Sequence, residues 1–148
     1  MCIRDSARVA KGKLAWADTA SADYTRRLKR YSSFEEVVVR PGGSPDAEAA
    51  RLLKRIAPGD RLVALDERGA KLNSHGWADV VQSAREDGVG TLWFAIGGPD
   101  GHGPALRARA DEVLALSPMV LAHQVARVVV LEQLYRAWTI LRGEPYHR

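Results

Sequence analysis

Residues 134–148, LYRAWTILRGEPYHR, end the chain on an amphipathic helix and a Tyr-His-Arg tail. Leu134, Trp138 and Leu141 recur at helical spacing, and Gly143 with Pro145 breaks the helix just ahead of Tyr146, His147 and Arg148. A phenol, an imidazole and a guanidinium in succession can move protons or hold phosphate. Read alone, a histidine this near a terminus is most simply a bystander, and Arg142 and Arg148 most simply complement the C-terminus of the helix with their charge. Two other stretches offer chemistry. The run Ile96-Gly97-Gly98-Pro99-Asp100-Gly101 follows an apolar strand, where glycines let a ligand approach the backbone. It is neither G-x-G-x-x-G nor a P-loop, so by itself it is most simply a tight strand-to-helix turn. Ser117, Pro118, Met119, Val120, Leu121 and Ala122 put small and apolar side chains on an irregular segment. Such a wall suits an adenine ring or, taken alone, the lining of a core.

An alternation of strands and helices has to position these groups. Periodicity and breakers predict a short strand at 8–10, a helix over 16–30, a valine-rich strand at 34–40, and a helix over 47–56 with Asp46 as its cap. A buried strand at 62–65, a helix from Ser74 to about residue 85 and an apolar strand at 91–96 follow. Beyond the glycine loop, Pro104 suits the first turn of a helix to about residue 113. A short strand at 114–116 and a long helix from His123 complete the chain. This order gives one α/β domain with a mostly parallel sheet covered by helices on both faces.

Composition sets the outer bounds. The 148 residues fit one domain, and shares of 46% apolar and 27% charged residues are those of a globular protein. No apolar run reaches the ~18 residues that suggest a membrane span. A formal charge of +4 favours a polyanionic partner only weakly. The single cysteine, Cys2, has no bridging partner and no metal-ligand spacing, which points to a reduced, cytoplasmic protein. His75 and His102 form no metal spacing either, so no metal is expected. His123 reads as a first-turn residue that caps and packs, and Arg26, Arg27, Lys29 and Arg30 read as a solvated helix face with RNA contact as the second possibility.

In order and spacing, the glycine loop, the segment LALSPMVLAHQVAR (114–127) and the Tyr-His-Arg tail resemble the ribosomal RNA large-subunit pseudouridine N3-methyltransferases of the SPOUT superfamily. The resemblance is strongest from Leu62 onward. It implies a deep C-terminal trefoil knot, which pattern alone would not suggest because chain knots are nearly absent from proteins. It further implies an S-adenosylmethionine pocket built from Leu65, Gly97, Gly98, Ser117, Pro118, Met119, Val120, Leu121 and Ala122. Many relatives have proline where this chain has Ala122. His147, with Tyr146 as the other candidate, would accept the imide proton of the target base, and Arg142 and Arg148 would contact RNA. The family works as a homodimer on ribosomal RNA of the large subunit. Val128, Val129, Val130, Leu131, Leu134 and Trp138, apolar over more than one helix face, are compatible with such a partner. Only the end of the family's first strand is matched, by residues 8–13, so residues 1–6 are expected to be a non-native start and 7–148 the methyltransferase domain. A non-catalytic RNA-binding module and a nucleotide-binding domain are the competing readings from charge and from the glycine loop.

Overall fold

The computed structural model describes residues 1–9, 14–97 and 101–148, with only the backbone of residues 4–9. In chain order the elements are β1 (Cys2–Val9), α1 (Ala15–Leu28), β2 (Ser33–Val39), α2 (Pro45–Leu53), β3 (Arg61–Lys71), α3 (Ser74–Glu86), β4 (Thr91–Ile96), α4 (Pro104–Arg109), β5 (Glu112–Ala115) and α5 (His123–Arg142). The five strands form one sheet in the order β2-β1-β4-β3-β5, and every neighbouring pair is parallel.

Two-residue alternation divides the core between the sheet's faces. Leu92, Phe94 and Ile96 of β4, with Val63 and Leu65 of β3, meet α3 and α5 residues such as Trp77, Val81, Leu131 and Leu134. Trp93, Ala95, Leu62 and Ala64 face the other way, onto Leu52 of α2 and Leu106 of α4. A strand buried on both sides must be apolar throughout, which is why Thr91–Ile96 reads as one continuous run.

Several boundaries differ from the sequence expectation. The first strand begins at Cys2, well before residue 8, and pairs on both sides with Ile3 wholly buried. Backbone pairing to two neighbours holds a segment whose charged residues disguise it as non-strand. Helix α2 starts at Pro45 and is capped by Ser44, whose hydroxyl accepts from the Ala47 N–H at 3.2 Å. Pro45 at the first helical position loses nothing by lacking an N–H, and Asp46 falls in the first turn. Helix α4 stops at Arg109, because Ala110 turns extended and Asp111 binds β3 through both its backbone and its side chain at Leu62. That contact draws Glu112 and Val113 into β5.

One buried ion pair ties the layers together. Arg127 of α5, 7% exposed, donates to Glu36 of β2 through Nε at 2.7 Å and Nη2 at 3.1 Å, and to Asp18 of α1 through Nη1 at 2.8 Å. Burial opposes its charge, and the two carboxylates outweigh that cost and raise its pKa. Removing the cation would leave Glu36 uncompensated in a largely dry setting. Arg127→Ala should therefore lower the unfolding free energy by roughly 3 kcal/mol in urea. Asp23→Ala, which breaks exposed pairs with Arg26 and Arg27 that water screens, should cost much less. Equal effects would contradict the role of burial.

Candidate functional site

A cleft of about 670 Å³ opens at the carboxyl ends of β3 and β4, where parallel sheets bind ligands. Its volume falls within the ~300–1,000 Å³ typical of small-molecule sites. Leu65, Gly97, Ser117, Met119, Val120, Leu121 and Ala122 all line it, so seven of the nine cofactor residues expected from sequence meet at one place. Pro118 is in the same segment but does not line the cleft, and Gly98 lies outside the described residues. Ile96, Leu116 and Ala126 add apolar wall, and Asp66, Glu67, Arg68, His102, Ser117 and His123 supply the polar side chains. An apolar slot with few polar points fits an adenosine-sized ligand. Met119 and Val120 are 68% and 80% exposed, so the outer wall stands open to solvent.

Two histidines hold the cleft in shape. His102 Nε2 lies 3.0 Å from the Leu65 carbonyl oxygen and 3.1 Å from that of Ala95. Both partners are acceptors, so this nitrogen carries the proton and donates to the ends of two strands at once. His123 Nδ1 lies 3.0 Å from the Gly97 carbonyl oxygen and thereby binds the start of α5 to the glycine loop. It is not the cap of α5, since the N-cap position is Ala122, which makes no side-chain cap bond.

The rim of the cleft comes from an irregularity in β3. Leu65 and Ala70 both pair with Leu114 of β5, so Asp66, Glu67, Arg68 and Gly69 leave the ladder as a bulge. Gly69 is required there: a Cβ would come within 2.6 Å of the Leu114 backbone. Asp66, Glu67 and Arg68 thus stand over the cleft. The Asp66 side chain is 8% exposed and is paired with both Arg68 and Arg107. Burial would raise the Asp66 carboxyl, but the backbone N–H and guanidinium of Arg68 outweigh it and hold the group below the usual carboxylate range.

The tail is elsewhere. Gly143, in the left-handed region at φ +67°, ends α5, and the Glu144 N–H returns to the Thr139 carbonyl. The chain then folds back along α5. Tyr31 donates to Glu144 at 2.6 Å, Tyr146 donates to Glu132 at 3.1 Å, and Arg136 Nη1 donates to His147 Nδ1 at 3.2 Å. The His75 ring meets His147 edge-on with centroids 4.9 Å apart. No tail residue lines the cleft. The ten residue steps along α5 from Ala126 to Arg136 span about 15 Å. Burial, together with Tyr24 and the Glu132 carboxylate, pushes the Tyr146 phenol up, away from the phenolate a base would need. His147 has its Nδ1 lone pair engaged by Arg136, so its proton sits on Nε2. Arg142 and Arg148 are exposed.

Among the described residues, no three His, Cys, Asp or Glu side chains cluster to hold a metal, and no helix is long and apolar enough to cross a membrane.

Residues 5–147 match the family described as "Predicted SPOUT methyltransferase". A protein named ribosomal RNA large subunit methyltransferase H from Anaeromyxobacter sp. (strain K) is 48% identical over 136 residues, which cover 87% of this chain and 88% of that protein. The protein of the same name from Pelobacter propionicus is 43% identical over 145 residues, covering 94% and 95%. Among solved structures, the SpoU methyltransferase AviRb from Streptomyces viridochromogenes in complex with AdoMet is similar with a TM-score of 0.45 at 15% identity, over 92% of this chain and 57% of that one.

Sequence reading missed His102 and the bulge; the strand expected at 62–65 stops before Gly69, the one residue of the bulge whose type hints at it. His102 has a measurable consequence. Burial holds its imidazole below the ordinary value, against the opposing pull of the two carbonyls and Asp66. The unfolded chain therefore takes up this proton first, and the stability His102 contributes is lost as pH falls through ~6.5. His102→Gln keeps an N–H donor without the titration, and its urea stability should depend less on pH than the wild type's between about pH 7.5 and 5.5. Parallel profiles would rule out a neutral, buried His102.

Proposed function

The chain belongs to the SPOUT methyltransferase family, and on that premise we propose that it methylates N3 of a pseudouridine in large-subunit ribosomal RNA, with S-adenosylmethionine bound in the cleft at the ends of β3 and β4. The observation that carries this reading is the convergence of Leu65, Gly97, Ser117, Met119, Val120, Leu121 and Ala122 on one cleft. Gly98 and Pro118 join them on the family resemblance alone. Bound there, S-adenosylmethionine would supply an electrophilic methyl group on a sulfonium. The protein's share of the work is to orient that methyl group, bring the base to it and remove the imide proton from N3. A non-catalytic RNA-binding module would need no such cleft. The trefoil knot implied by membership would fall beside it, where β5 passes through residues 116–122 into α5.

His147 is the base we favour, since a neutral imidazole suits the task at cellular pH and the Tyr146 phenol is held protonated. His147 would have to exchange its bond with Arg136 for the substrate imide. Tyr146 then fixes the tail through Glu132. Because the tail is about 15 Å along α5 from its own cleft, it acts most simply on the cleft of a second copy. An exposed apolar patch supports a homodimer: Leu14 and Trp16 at the start of α1 and Val125 at the start of α5 are 45%, 54% and 38% exposed. The ion pair from Arg127 to Asp18 brings these two helix starts together. Trp138, Leu131 and Leu134, by contrast, are spent inside the protomer's own core. Arg142 and Arg148 would contact RNA phosphate. A ribosomal substrate implies work in the cytoplasm.

His147→Ala should slow single-turnover methylation of saturated ribosomal substrate by about 100-fold while S-adenosylhomocysteine affinity stays intact. Arg148→Ala should instead weaken RNA binding and flatten its salt dependence. A wild-type rate for His147→Ala would contradict its role as base, and methylation undetectable by mass spectrometry of the RNA in any wild-type reaction would contradict the proposed activity.

A further inference from the structure

The cleft is chemically lopsided. Its interior wall is apolar, whereas the β3 bulge places Asp66, Glu67 and Arg68 side by side at the rim. The Asp66 carboxylate is shared by two guanidinium groups, those of Arg68 and Arg107, so it offsets the Arg68 charge only in part. Asp66 also fixes where that charge points. Its Oδ1 accepts from the Arg68 backbone N–H at 2.9 Å and from Nε at 3.1 Å, and its Oδ2 accepts from Nη2 at 3.2 Å. This two-pronged clasp orients the guanidinium and leaves its other N–H groups unspent. The Arg68 side chain is 69% exposed, and Glu67, also exposed, carries the opposite charge one residue away.

From this juxtaposition we infer that the β3 bulge is a receptor for an α-amino acid zwitterion: Arg68 binds the carboxylate and Glu67 the ammonium at the methionine end of the cofactor. This rests on the reading of the cleft as the S-adenosylmethionine site. A ligand with an apolar aromatic body and a zwitterionic end matches both halves of the cleft. Gly69 makes the arrangement possible by letting the bulge press against the Val113 and Leu114 backbone. His102 steadies it by holding the Leu65 carbonyl immediately before the bulge.

The test compares two ligands that differ only at the end in question. S-adenosylhomocysteine carries the amino acid, and 5′-methylthioadenosine has the same nucleoside thioether without it. In calorimetry of the full chain, Arg68→Ala should weaken S-adenosylhomocysteine about two- to fivefold, the size expected of a solvent-accessible charged contact, and leave 5′-methylthioadenosine unchanged. Glu67→Gln should show the same selectivity with a smaller loss. Unchanged affinity for both ligands in Arg68→Ala, or an equal loss for both, would overturn the assignment. If the wild type bound neither ligand, the reading of the cleft itself would fall, which separates the two failures.

Discussion

Where β3 and β4 stop pairing, the last carbonyl groups of the ladder need donors, because a buried acceptor left unmade costs about 1–3 kcal/mol. A single neutral imidazole meets that need for both strands: His102 donates to Leu65 and Ala95 together. Much else at this edge depends on that clasp. Leu65 is the residue at which β3 leaves its pairing with β5, so the bulge of Asp66 to Gly69 starts from a fixed point. Gly97 follows β4, and its carbonyl is gripped by His123 at the start of α5. The floor, rim and far wall of the cleft are thus positioned by hydrogen bonds to backbone, which leaves the apolar side chains free to face a ligand.

The charged groups of this protein divide by burial. Arg127 joins α1, β2 and α5 from a nearly dry position, so its loss would be felt as stability. Arg68 makes a similar two-pronged contact at the surface, where water screens it and its value is for recognition. The tail combines both situations. Tyr146 and His147 are half-buried against Tyr135, Glu132 and Arg136, while Arg148 remains exposed beyond them.

What the sequence reveals follows from how local each signal is. Helix α5 and strand β4 are legible because their apolar residues run without interruption, and Ser117 with residues 119–122 is legible as one wall of a cleft because these residues are contiguous in the sequence. Strand β1 is not, because two neighbours impose its conformation on residues such as Arg4 and Asp5 that lack strand character. The end of α4 is misjudged for a related reason: the Asp111 contact to Leu62 is long-range and overrides the local helical pattern. The bulge escapes because register against β5 creates it, and only Gly69 hints at it. The place of the tail is the least legible, since a turn at Gly143 says that the helix ends but not which surface receives the residues after it.

The central claim is that the cleft of one copy works with the tail of another. Mixing two impaired variants tests it: Ala122→Trp, which fills the cleft and keeps the tail, and His147→Ala, which keeps the cleft and lacks the base. In a mixed dimer, the intact cleft of one subunit meets the intact tail of the other. The account predicts that methyl transfer to ribosomal RNA recovers on mixing, to about half the wild-type rate per mixed dimer. Mixed dimers that form, as shown by differently tagged subunits purifying together, yet remain impaired would contradict it.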